Sequence, residues 1–145
     1  MNTPKVAGKK FYYDVSGAPA LEFALILPVF MLLLGGMLAY GMYIGASHGV
    51  AQLAADAARV SVAGLSAEER KTLAQSHIEK HASNYAFVDP TRISIDAAAS
   101  PDDPSQFQVS VRYSTDDLPI WMLEGLVPLP EKTIVRTASI KSSGF

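Results

Sequence analysis

The sequence predicts an α+β protein. A long N-terminal transmembrane helix continues into an exported domain, where a second helix packs on a small antiparallel sheet of about three strands. Three observations predict this. No Asp, Glu, Lys or Arg occurs between Glu22 and Asp56, a gap of 33 residues in a chain of 145. A helix-capping signature at Ser66 opens a second helical stretch. Three later runs alternate polar residues with β-branched or aromatic ones, as half-buried strands do. Composition bounds the rest. A net charge of -2 is too balanced for a nucleic-acid binder, and the absence of cysteine excludes a disulfide framework and a cysteine-ligated metal.

The predicted organisation has three parts: a basic leader over 1–17, a long helix over 18–62, and an exported α+β domain over 65–145. The membrane span is placed at 23–44, FALILPVFMLLLGGMLAYGMYI. At about 1.5 Å per residue this helix rises about 33 Å, enough for a hydrocarbon layer of about 30 Å. A soluble chain this short has too little left to cover a helix apolar on every side. The apolar run exceeds the usual length of a signal-peptide core, and Ala46-Ser47-His48 is a poor cleavage site, so the helix is expected to be retained. Orientation follows from the flanks. Lys5, Lys9 and Lys10 precede the span, whereas residues 46–145 hold nine basic and twelve acidic residues. The leader is therefore expected in the cytoplasm and the remainder outside it.

Beyond the span, Ala51, Ala54, Ala55, Ala57 and Ala58 favour continued helix to about Val62, with Asp56 and Arg59 spaced to pair. Gly64 is a good stop. Ser66 and Glu69 form a capping box for a helix over about Ala67–Asn84. Arg92–Asp96 and Gln106–Tyr113 read as a hairpin across the turn-rich 100–105 insert, and Lys132–Lys141 as a third strand. Leu118–Leu129 is too short and broken to span a membrane. It suits a cover over the sheet, and would equally suit a docking surface or a place at the membrane interface with Trp121.

Catalytic patterns are missing. His77 and His81 share a helical face at i,i+4, but the residues between them are not those of a metalloprotease helix and no third ligand follows, so no metal site is predicted. There is no phosphate loop and no nucleophile elbow. The acid pairs Asp102-Asp103 and Asp116-Asp117 lack the spacing of a calcium loop. No cofactor and no enzymatic activity is expected.

The informative residues lie where leader meets apolar run, Ser16-Gly17-Ala18-Pro19-Ala20-Leu21-Glu22-Phe23. Gly17 suits an extended, protease-bound backbone. Pro19 fits the first turn of a helix beginning there. Glu22 is an acid at the lip of the membrane, where an unpartnered charge is costly. Pro28 falls inside the span and is expected to kink it. Gly41, Gly45 and Gly49 recur every four residues on one face, the small-residue spacing of close helix packing. Gly17 followed five residues later by Glu22, an aromatic and an apolar helix resembles the class III leader of type IV prepilins. The stretch Gly17–Arg59, with Ala20-Leu21-Glu22-Phe23-Ala24, Pro28, the glycines after it and the closing Ala54-Ala55-Asp56-Ala57-Ala58-Arg59, resembles the TadE-like pseudopilins of the tight-adherence (Tad or Flp) pilus, a type IVb system.

That resemblance implies a minor pseudopilin of the bacterial inner membrane, single-pass, with its C-terminal domain in the periplasm. It implies cleavage between Gly17 and Ala18 by a prepilin peptidase. It also implies an assembly role for Glu22 and Phe23, the Glu22 carboxylate pairing with a freed N-terminal amine. Implied partners are membrane lipid, the peptidase, other pilins or pseudopilins and the pilus assembly platform. Two other readings fit parts of the chain: an uncleaved, envelope-anchored interaction domain, and an envelope enzyme or binding protein whose groups converge only in the fold.

Overall fold

The computed structural model describes residues 18–103 and 105–141. They fall in two units, Met1–Gly35 and Gly36–Phe145. Gly17 and the leader lie outside the described residues. Helix α1 spans Ala18–Ser61, 44 residues, and contributes to both units. Pro19 stands in its first turn, where a missing N–H costs nothing. Pro28 leaves the Ala24 carbonyl without its usual donor, yet the helix continues on both sides of it.

In the first unit the described helix is solvent-facing almost throughout, with Phe23 63% and Leu25 72% exposed. In the second unit α1 changes character. Ala46, Val50, Leu53, Ala54, Ala57 and Ala58 are buried. The four alanines among them let the helix approach its partners closely. Leu53 and Val50 each bury a whole side chain, worth about 1.5–3 kcal/mol apiece.

Helix α2 spans Ala67–His81. It ends three residues before the expected Asn84, because its last turn tightens into a 3₁₀ turn at Ala82–Asn84. The predicted cap forms, with one change. The Glu69 N–H donates to Ser66 Oγ at 3.2 Å, but the Glu69 carboxylate accepts from the Leu65 N–H at 2.9 Å, one residue further out than a capping box reaches. Gly64 is held against α2: its carbonyl accepts from Arg70 Nε at 2.9 Å.

Strands β1 (Ile93–Ala99), β2 (Gln106–Ser114) and β3 (Thr133–Lys141) form an antiparallel sheet in the order β1-β2-β3. Ile93 faces Tyr113 across the first pair, and Val109 faces Ala138 across the second. Strand β1 runs three residues past Asp96, because Ala97–Ala99 find partners on β2. Alternation is clean on β2: Phe107, Val109, Val111 and Tyr113 are buried, while Ser110 turns outward and its hydroxyl meets that of Thr137 at 2.7 Å. The buried face meets α1 and α2 in one hydrophobic cluster that includes Ala74 and Ile78 of α2. Leu118–Leu129 divides: a 3₁₀ turn at Pro119–Leu123 buries Ile120, beside buried Leu118, but leaves Met122, Leu126 and Val127 exposed.

Candidate assembly site

Among the described residues α1 is helical from Ala18, the residue that follows Gly17 in the chain. Glu22 follows four residues later. In an α-helix positions i and i+4 share a face, about 6 Å apart along the axis. The Ala18 nitrogen and the Glu22 carboxylate are therefore set on one side of the first turn and a half. Glu22 is exposed, and no ion pair among the described residues engages it. Phe23 is exposed beside it. A carboxylate on an otherwise apolar, uncovered helix end has the chemistry to hold a cation supplied along that helix or by another molecule.

The glycine series meets different surroundings at each member. Gly41 has nothing within 4 Å of where a Cβ would stand. At Gly45 a Cβ would come within 2.8 Å of the Phe87 ring, and at Gly49 within 3.1 Å of Val88 and 3.2 Å of Tyr85. The close approach at Gly45 and Gly49 is thus made by the chain's own 85–88 loop. Phe87 holds that loop in a left-handed conformation, φ 62°, which a bulky residue adopts only when its surroundings compel it. Its carbonyl accepts from the Tyr113 hydroxyl at 3.2 Å, and the Tyr113 oxygen accepts from the Asp89 N–H at 3.3 Å.

The closing alanine-rich segment is core and tether. Ala54, Ala57 and Ala58 are buried. Asp56 accepts from Arg59 at 2.9 Å, as its spacing predicts, and from the Tyr85 hydroxyl at 2.9 Å. Burial, then the hydrogen bond and charge of Asp56, push the Tyr85 hydroxyl above its usual pKa. Burial does the same to Tyr113.

Sequence reasoning missed the ties between α1 and the loops after the sheet. The Tyr40 hydroxyl donates to the Pro128 carbonyl, and Tyr43 to the Glu131 carbonyl at 3.1 Å. Arg136 donates to the Ser47 hydroxyl. Two tyrosines spaced i,i+3 at the end of an apolar run were the available signal, since a buried tyrosine seeks a partner for its hydroxyl.

Some other polar groups among the described residues contact one another. The His77 and His81 rings stack with centroids 4.3 Å apart, and His81 Nδ1 lies 2.9 Å from the His77 carbonyl. Partial burial and then the neighbouring His81 lower the His77 pKa. An open cleft of about 260 Å³ is lined by Phe87, Val88, Asp89, Tyr113, Asp117 and Leu118. Its two carboxylates flank Arg92, at 3.8 Å from Asp89 and 3.4 Å from Asp117. No group of three or more His, Cys, Asp or Glu side chains among the described residues is placed to hold a metal ion.

Helix α1 is long and apolar enough to cross a membrane. Residues 17–59, under a third of the chain, match the family model described as TadE-like protein. No curated protein and no solved structure matches the chain.

Proposed function

We propose that this chain, TadE-like over residues 17–59, is a minor pseudopilin that contributes to the biogenesis of a Tad-type pilus. Its role is structural rather than catalytic. It sits in the bacterial inner membrane through α1, with the leader in the cytoplasm and the sheet domain in the periplasm. A prepilin peptidase cuts between Gly17 and Ala18, leaving Ala18 as the new N-terminus. Its partners are other pilins or pseudopilins and the assembly platform. The observation that carries this reading is that the family match begins at Gly17 and the charge-free stretch of α1 opens after Glu22, five residues on.

Cleavage gives Ala18 an ammonium one helical turn from Glu22. In lipid an unpaired charge costs about 2.5–3.5 kcal/mol by insertion scales, and a carboxylate–ammonium pair strengthens as water leaves. The Glu22 carboxylate holds such an amine, its own or a neighbour's, and thereby fixes the axial register between subunits. Intact mass of the protein recovered from its native envelope tests the reading. Loss of residues 1–17 is expected, and Gly17→Val abolishes that loss. Glu22→Gln is expected to insert and to be cleaved but to leave pilus assembly defective. A mature protein that still begins at Met1 overturns the pseudopilin reading and leaves an anchored interaction domain.

A further inference from the structure

The 118–129 segment sorts its side chains into two sets. Leu118 and Ile120 are buried in the core, whereas Met122 is 83% and Leu126 62% exposed, with Val127 exposed beside them. Trp121 is half-buried between the sets. Its indole N–H donates to the Thr115 carbonyl, and Lys132 Nζ stands 5.2 Å from its ring centroid. The segment is tied to one short stretch of α1. Leu123 lies 3.9 Å from where a Cβ on Gly36 would stand, and Tyr40 and Tyr43 bond the Pro128 and Glu131 carbonyls. On that same stretch Met37 is 73% and Leu38 66% exposed. Exposed apolar side chains therefore occur on helix and loop at one level along α1.

That level matters because of the helix length a bilayer consumes. A layer of about 30 Å takes about twenty helical residues at about 1.5 Å each. A span starting at Ala18 ends near Met37, and one starting at Phe23 ends near Met42. Both exits fall within the stretch that carries the loop. We infer that Trp121–Val127 is an interfacial membrane anchor, its Met122, Leu126 and Val127 side chains entering the headgroup–acyl boundary of the leaflet from which α1 emerges. The inference rests on α1 spanning the bilayer as proposed above. Trp121, apolar in body with a polar edge, is the residue type enriched at that depth. Glu124 is exposed in the same loop, and its carboxylate limits insertion to the headgroup level. Glu124 and Glu131 outnumber Lys132 near the segment, so attachment is by apolar burial and not by attraction to anionic lipid.

The chain offers clean probes, with a single tryptophan and no cysteine. Full-length protein is reconstituted in phosphatidylcholine vesicles carrying lipids brominated either near the carbonyl end or near the methyl end of the acyl chain. An environment-sensitive dye is placed on Leu126→Cys and, in a separate sample, on Leu32→Cys. The expected result is quenching of the Leu126 probe and of Trp121 by the shallow bromines, little by the deep ones, unchanged by added salt. The Leu32 probe is quenched most by deep bromines. Met122→Ser with Leu126→Ser is expected to weaken Trp121 quenching while the Leu32 signal stays. A Leu126 probe quenched by aqueous iodide and not by bromine, with Leu32 still quenched, overturns the anchor and keeps the span. A Leu126 probe shielded from both quenchers as protein density rises assigns the patch to a second copy and also overturns it. Absence of quenching at Leu32 removes the span and the anchor together.

Discussion

Asp56 ties the long helix to the segment that follows α2, through the Tyr85 hydroxyl at 2.9 Å, while also holding Arg59. Sequence spacing reveals the Arg59 pair, because i,i+3 neighbours on a helix meet regardless of fold. It is silent on Tyr85, whose contact with Asp56 crosses 29 positions. Tyr85→Phe removes that bond and is expected to cost about 1 kcal/mol at neutral pH, read as a lowered urea midpoint in detergent. The tyrosines also set an alkaline limit. Tyr85 and Tyr113 have folded pKa values raised above 10.0, so between the unfolded and folded values the native state holds more protons. Stability is full below pH 10 and falls as pH rises beyond it, and Tyr113→Phe flattens that fall. The acid limb has the opposite origin. His77 has its folded value lowered from 6.5, so the unfolded chain takes up the proton first, and stability drops as pH falls below about that value. His77→Gln is expected to flatten it.

Turn and cap chemistry made the elements the most legible level. Ser66 caps α2 as its type and position require, and the alternation of Gln106–Tyr113 fixes which face of β2 is buried. The extension of β1 over Ala97–Ala99 was not legible, since alanine carries no strand preference and only pairing with β2 makes that segment extended. The junction between α1 and α2 gives a sharp test. A Cβ on Gly64 would stand 2.7 Å from the Arg70 backbone nitrogen, a group fixed inside a helix. Gly64→Ala is expected to destabilise by about 1–3 kcal/mol, visible as a lower thermal midpoint. Helix–helix association is best probed at Gly41, which has open space around it, and not at Gly45, where a larger side chain collides with Phe87. Gly41→Leu is expected to leave the thermal midpoint unchanged and to weaken self-association in a membrane two-hybrid or cross-linking assay.

At the scale of the molecule, the long apolar helix is plain in the sequence, but its double use is not. A charge-free run is equally consistent with lipid and with a protein core on any face, because both are apolar. Helical spacing in the sequence lines up Val50, Leu53, Ala57 and Val60 as an apolar stripe, and the structure buries the first three together with Ala46 but leaves Val60 exposed. The compact unit accordingly begins at Gly36, inside α1. A chain starting at Gly36 is expected to unfold cooperatively in mild detergent. A chain starting at Leu65 lacks the α1 half of the core and is expected to show no cooperative transition and to bind a hydrophobic dye. The junction at Gly17–Phe23 was legible as a motif, whereas the α1-to-loop bonds of Tyr40 and Tyr43 were not, because each joins residues 88 positions apart.

The left-handed Phe87 resting on Gly45 has an evolutionary corollary. The ring fits only where position 45 carries no side chain, and that fit, together with the Tyr113 hydroxyl on the Phe87 carbonyl, offsets the unfavourable backbone beneath it. Positions 45 and 87 should consequently drift as a couple across descendants of this gene. A methyl gained at the first is tolerated where the second has shrunk, and an aromatic survives at 87 only opposite glycine.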